Sequence, residues 1–174
     1  MVFLFHISYS DIDSLVRNID FPSMQDGPLY RVMFPEDLRD EQRDEIIVWH
    51  TINMQRAFSS GTTFCKACTD DGEAIGFAVW VWDVNVAKNS AQNTFEENPR
   101  LPQTLDVTAW QDVSKRLMKE RRQVLDSLDN VLLLASPAGV KLYSKFDFET
   151  VGQINTEKGV ITSMLWKAGE SRRL

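Results

Sequence analysis

The sequence predicts a mixed α/β (α+β) domain, and three observations carry that prediction. Apolar residues recur with helical spacing in some stretches and with strand-like density in others, so both kinds of element are expected. Two pairs of strand-like runs are separated by short turn-forming segments containing Gly72 and Gly159, which reads as antiparallel hairpins. Between them, Val131 to Ala135 is an unbroken apolar run followed by Ser136, Pro137, Ala138 and Gly139. A strand covered on both faces and ending in a turn has that pattern, so this strand is expected inside a sheet, at the centre of the fold.

In chain order, Val2 to Ile7 is the first expected strand. Ser10 is placed to cap a helix whose amide-rich end suits Asp13, and Ile12, Leu15, Val16 and Ile19 form one apolar face at i, i+3, i+4 and i+7. Phe21 to Gly27 is expected to be loop and Pro28 to Phe34 one helical turn. Pro35 opens a second long helix reaching Ser60, where Gly61 stops it, with Ile47, Thr51, Met54 and Phe58 on its inner face. Thr62 to Cys68 and Glu73 to Trp82 are strands joined by Thr69-Asp70-Asp71-Gly72, a tight-hairpin sequence. In the second of them Ile75, Phe77, Val79 and Val81 alternate with Gly76, Ala78, Trp80 and Trp82, which predicts cover on both faces.

Residues 83–104 turn polar and rich in Asn and Pro and are read as an irregular insert. A third long helix begins at Thr108, where Thr108-Ala109-Trp110-Gln111 has capping-box spacing. Its apolar stripe is Trp110, Val113, Leu117, Val124 and Leu128. Lys115, Arg116, Lys119, Arg121 and Arg122 read either as an anion site or, interspersed with Asp112, Glu120 and Asp126, as a solvated face. After the apolar strand, a short helix carries Val140, Leu142, Tyr143 and Phe146. Glu149 to Ile154 and Val160 to Trp166 close the chain as a second hairpin.

The 174 residues, 43% of them apolar, suffice for one domain over 1–169, with 170–174 as a frayed tail. Lys and Arg number 19 against 25 Asp and Glu, a net charge of -6, so there is no sequence-wide attraction to phosphates. Nucleic acid and anionic membrane are therefore poor partners. No apolar run reaches the ~20 residues of a membrane helix, and Val2 to Ile7 is too short and lacks the basic flank of a signal peptide. The expectation is a cytoplasmic protein.

The stretch from Ala135 through Ser136-Pro137-Ala138-Gly139 and Leu142-Tyr143-Ser144-Lys145-Phe146 to Phe148 is similar to the late motif of GNAT-type N-acetyltransferases, particularly fungal ones. There a strand leads into S-P-A-G, then L-Y-x-K-x-G-F and a final hairpin. Gly27 to Pro35 and Gly72 to Trp80 look like the family's opening. The resemblance implies a GNAT-like acyl-CoA N-acyltransferase fold, with acetyl-CoA as co-substrate and a small-molecule amine as acceptor. It also implies Tyr143 as the acid that protonates the departing thiolate, and Ser136, Pro137, Ala138 and Gly139 as the lining of the coenzyme arm. Read without the resemblance, Tyr143 is an amphipathic core residue and Ser136 to Gly139 a turn.

The sequence departs from the family in two places. Asp147 stands where the family has Gly, which predicts a strained backbone. The family's Q/R-x-x-G-x-G/A turn, whose amides at a helix start hold the coenzyme pyrophosphate, has no counterpart. Asn130 to Leu134 runs straight into Ala135-Ser136-Pro137, so one strand stands for two. The fold is expected to be truncated in its centre by at least ~30 residues, the length of a βαβ unit. Two functions follow: an N-acetyltransferase with activity weakened or lost, or a non-catalytic remnant that binds a partner or stems from a shortened transcript or gene model. A surface bared by the lost helix would favour a homo-oligomer.

Other candidates are less specific. His6 and His50 are lone histidines, and Asp83 and Asp106 lie near element ends with no spacing to select them as a base. Cys65-Lys66-Ala67-Cys68 has C-x-x-C spacing but no further pair of ligands, and residues three apart on a strand face opposite ways, so reduced buried cysteines are the better reading and no metal is expected. The five tryptophans are spread over different elements, as core residues are.

Overall fold

A computed structural model describes residues 1–80, 100–124 and 130–167. Most of the expected insert at 83–104 and all of the tail at 170–174 lie outside the described residues. The chain forms two compact units, Met1–Asp26 with Glu36–Thr104, and Gly27–Pro35 with Leu105–Leu174.

In the first unit β1 (Phe3–His6) leads to Ser8, whose N–H and Oγ–H both donate to the Asp11 carboxylate at 2.8 and 2.7 Å. Helix therefore begins at Tyr9, capped by Ser8 and not by Ser10. A tight turn (Tyr9–Asp11) passes into α1 (Ile12–Leu15), a wider π-type turn (Val16–Asp20) and α2 (Phe21–Met24). The loop expected from Phe21 is thus helical as far as Met24. Pro22 has no N–H and its ring crowds the carbonyl four residues back, so the chain widens by one residue and the Phe21 N–H reaches Val16 O. Ile12, Leu15, Val16 and Phe21 are buried.

The second long helix, here α4 (Asp40–Ser59), starts later than Pro35. Arg39 N–H donates to Gln42 Oε1 at 2.9 Å at its start. At its end Gly61 takes φ +90° and Thr62 N–H returns to Ala57 O at 3.1 Å. Ile46, Ile47, Trp49 and Thr51 are buried, while Met54 and Phe58 are only half-buried. β2 (Thr63–Cys68) and β3 (Ala74–Trp80) form the expected hairpin, closed by Gly72 at φ +85°, and β1 pairs with the other side of β2. The order is β1-β2-β3, antiparallel throughout. Lys66 on β2 meets Asp11 at 2.7 Å, and the Phe58 and Phe64 rings lie 6.0 Å apart, so the helices cover the Phe64 face. Among the described residues the cover expected on both faces of β3 is not found: β3 pairs with β2 alone, and Ile75, Ala78 and Val79 are exposed, while Val81 and Trp82 lie outside the described residues.

The second unit contains α3 (Pro28–Met33), α5 (Val107–Val124), β4 (Asn130–Ala135), α6 (Pro137–Ser144), β5 (Glu149–Thr156) and β6 (Gly159–Lys167). Phe34, held extended at φ -130° and ψ 148° by the following Pro35, ends α3. Val113 and Leu117 of α5 pack with Ile154 and Ile161 of the final hairpin, and Leu29, Val32 and Leu134 close the cluster. The hairpin turn needs Gly159, at φ +125° and backed onto Pro28.

The sheet order is β4-β6-β5, all antiparallel. This corrects the expectation that Val131 to Ala135 lies inside a sheet. Among the described residues β4 pairs with β6 alone, and Val131 to Leu134 are half-buried. The inner strand is β6, with Ile161 to Leu165 buried throughout. An apolar run reports burial and not neighbours: α6 packs on β4 and β6, and that contact suffices for an apolar outer strand.

Candidate active site

The residues singled out around α6 come together. Ser136, extended at φ -67° and ψ 161°, caps the helix: its Oγ accepts the Gly139 N–H at 3.2 Å and its carbonyl the Val140 N–H at 3.1 Å. Pro137 occupies the first helical position, where a missing N–H costs nothing. One turn on, the Tyr143 ring lies back along the helix against Gly139, where an added Cβ would sit 3.2 Å from Tyr143 Cε2. Gly139 is thus the residue that lets the ring lie there. The ring also meets Phe148 in a T-shaped contact at 5.6 Å and 60°.

Phe146 N–H and Phe148 N–H both donate to the Tyr143 carbonyl, at 2.9 and 3.2 Å, and this tight exit forces Asp147 to φ 61°. The strained conformation expected at the family's Gly position is therefore present. Ser136, Pro137 and Ala138 are exposed and Tyr143 is half-buried. Leu142 and Phe146, counted with the helix's apolar residues, face solvent.

A coenzyme pyrophosphate needs unbonded amides at a helix start and no competing negative charge. In the first turn of α6 two amides are already bonded to Ser136. The start of α5 is occupied more decisively. Asp106, not Thr108, caps it, with Oδ1 accepting the Ala109 N–H at 2.9 Å and the carbonyl accepting the Trp110 N–H at 2.9 Å. Asp106 N–H in turn donates to Met33 O at 2.8 Å, which fixes the cap to the end of α3. A carboxylate sits where the anion would go, so the start of α5 does not fit a pyrophosphate. Lys115, Arg116 and Lys119 on α5 are exposed, with Arg116 3.8 Å from Asp112, as on a solvated face.

In the first unit the structure shows a pair that the sequence did not suggest. His50 Nδ1 on α4 lies 3.2 Å from Asp20 Oδ2, both side chains being mostly buried. The carboxylate lies close enough to Nδ1 to orient the imidazole ring on α4. Nothing in the sequence signals this, because the wide turn at Val16–Asp20 is what brings Asp20 round to α4. His6 lies exposed on β1, and Cys65 and Cys68 are free thiols, half-buried and buried. Among the described residues no three His, Cys, Asp or Glu side chains cluster as metal ligands, and no helix is long and apolar enough to cross a membrane.

No protein-family model matches the chain, and no curated protein matches it by sequence. Solved structures do match. A structure described as histone acetyltransferase HPA2 and related acetyltransferase from Corynebacterium glutamicum is 15% identical, with 94% of each chain covered and a TM-score of 0.58. An N-acetyltransferase from Staphylococcus aureus is 10% identical over 96% of this chain and 98% of that one, with a TM-score of 0.49. Aminoglycoside acetyltransferase AAC(6')-Ib, solved with ribostamycin and coenzyme A, is 16% identical over 96% and 93%, with a TM-score of 0.47. The first carries the conclusion, and the other two are too remote to add to it. The mixed helix and antiparallel-sheet fold of this chain is that of the GNAT acetyltransferase structures.

Proposed function

We propose that the chain is an acetyl-CoA-dependent N-acetyltransferase of the GNAT type, acting on a small-molecule amine. The observation that carries this reading is the Ser136-capped turn and helix, in which Gly139 makes room for the Tyr143 ring, set in a fold of the acetyltransferase kind. In this reading the amine nitrogen attacks the thioester carbonyl directly, the C–N bond forms as the C–S bond breaks, and the Tyr143 hydroxyl protonates the departing thiolate, while the proton lost by the nitrogen passes to water and water returns one to the Tyr143 phenolate. Ser136, Pro137, Ala138 and Gly139 line the coenzyme arm.

One observation favours a second reading, a non-catalytic remnant of the same fold. Asp106 places a carboxylate at the start of α5, a helix long enough for its N-terminus to hold an anion. Calorimetric titration of acetyl-CoA into the full chain separates the two. The enzyme reading expects micromolar binding displaced by CoA. It also expects a Tyr143→Phe variant that binds equally well but turns over a panel of amines about 100-fold more slowly or worse. No heat and no thermal stabilisation at millimolar acetyl-CoA would leave the remnant reading standing.

A further inference from the structure

We propose that β1 is a self-association edge, through which two copies of the chain pair antiparallel about a two-fold axis at Leu4. Among the described residues the strand order β1-β2-β3 leaves one side of β1 without a strand neighbour. Ile7 N–H donates to Phe64 O at 3.3 Å, continuing the register in which His6 lies opposite Cys65. Backbone groups alternate along a strand, so Phe3, Phe5 and Ile7 turn theirs toward β2, while Val2, Leu4 and His6 present theirs on the open edge. A second β1 can bond there only if its own even-numbered residues meet them.

The register centred on Leu4 does this, with Leu4 opposite Leu4 and Val2 opposite His6 of the second copy. It also brings Phe3 of each copy against Phe5 of the other on one face, an aromatic cross-strand pair, and sets no like charges opposite one another.

The surface is of the right kind. Met1, Val2, Phe3, Leu4 and Phe5 are 86, 58, 44, 76 and 51% exposed. Val2 and Leu4 lie on one face of the strand and Phe3 and Phe5 on the other, so a paired second copy meets apolar side chains above and below the shared edge. The usual protections of a free edge, such as Lys, Pro or an inward-pointing charge, are absent from Val2 to Ile7. A second copy is the occupant that supplies the same parity, the same aromatic pairing and the same lack of charge.

Sedimentation velocity on the full chain, from about 1 to about 200 μM, tests this. The expected result is a concentration-dependent dimer whose Kd rises at least about 30-fold in Leu4→Lys and in Leu4→Pro, the latter removing an outward-facing N–H. Ile75→Lys, at an exposed site on the opposite outer strand, should change Kd less than about threefold. Hydrogen exchange adds a readout that does not depend on any variant: the Leu4 and His6 amides gain protection with concentration, while those of Phe5 and Ile7 are protected throughout. A monomer at about 200 μM would overturn the proposal. So would a dimer unaffected by Leu4→Lys, protection without the even-numbered pattern, or an edge taken only by an unrelated apolar peptide.

Discussion

Replacing Asp11 by Asn keeps the shape of the side chain and removes its charge, which isolates one electrostatic contribution to the first unit. The Lys66 ammonium at 2.7 Å, together with the Ser8 N–H and hydroxyl, lowers the Asp11 carboxyl from 3.8 to about 2. Taken in full, that difference corresponds to ~2.4 kcal/mol. Water reaches the pair, since the side chains are 27% and 20% exposed, and the screened expectation is about 1 kcal/mol. A carboxyl lowered by folding stabilises the native state above its unfolded pKa, near 4, and this contribution fades as pH falls toward 2. Urea denaturation of the wild type and Asp11→Asn should differ by about 1 kcal/mol at pH 6, with the gap closing below pH 4. A double-mutant cycle with Lys66→Met should give a coupling of at least about 0.5 kcal/mol. A gap that is the same at pH 6 and pH 3, or strictly additive variants, would refute the reasoning.

Two substitutions probe the second unit. Gly159→Ala forces a side chain into φ +125° with its Cβ 3.2 Å from Pro28 Cγ, so a loss of about 2 kcal/mol is expected in urea denaturation, and a loss under about 0.5 would contradict the close approach. Ile154→Ala opens a cavity among Val113, Leu117 and Ile161; with Ile154 2% exposed, the expected cost is about 2 to 5 kcal/mol, and a value below about 1 would mean that this cluster is not a packed core.

Much of the fold was legible because it depends on neighbours within a turn or two. Asp71-Gly72 announced its hairpin and Gly61 the end of α4, while the turn expected over Ser136 to Gly139 proved to be the cap and first turn of α6 itself. The candidate site was legible for the same reason: Ser136, Gly139 and Tyr143 lie within two turns of one helix, and Asp147 is the residue immediately beyond its exit. Errors came where a second local signal won. Phe21 to Gly27 read as loop, yet the helix absorbed Pro22 by widening and ran on to Met24. Thr108 read as a cap, yet Asp106 took that place while its backbone was bonded to Met33.

By itself the sequence determined most of the segments that coil and that extend, and where most of them turn. Those outcomes follow from φ/ψ preferences, caps and i, i+4 contacts, all confined to a few consecutive residues. Among the described residues, the tertiary structure alone decided that β4 is an outer strand and β6 an inner one, that His50 meets Asp20, and that β1 keeps an open edge. Each of these depends on pairing between residues far apart in the chain. An apolar strand is equally at home in the middle of a sheet or at its edge under a helix, so its composition cannot choose between them.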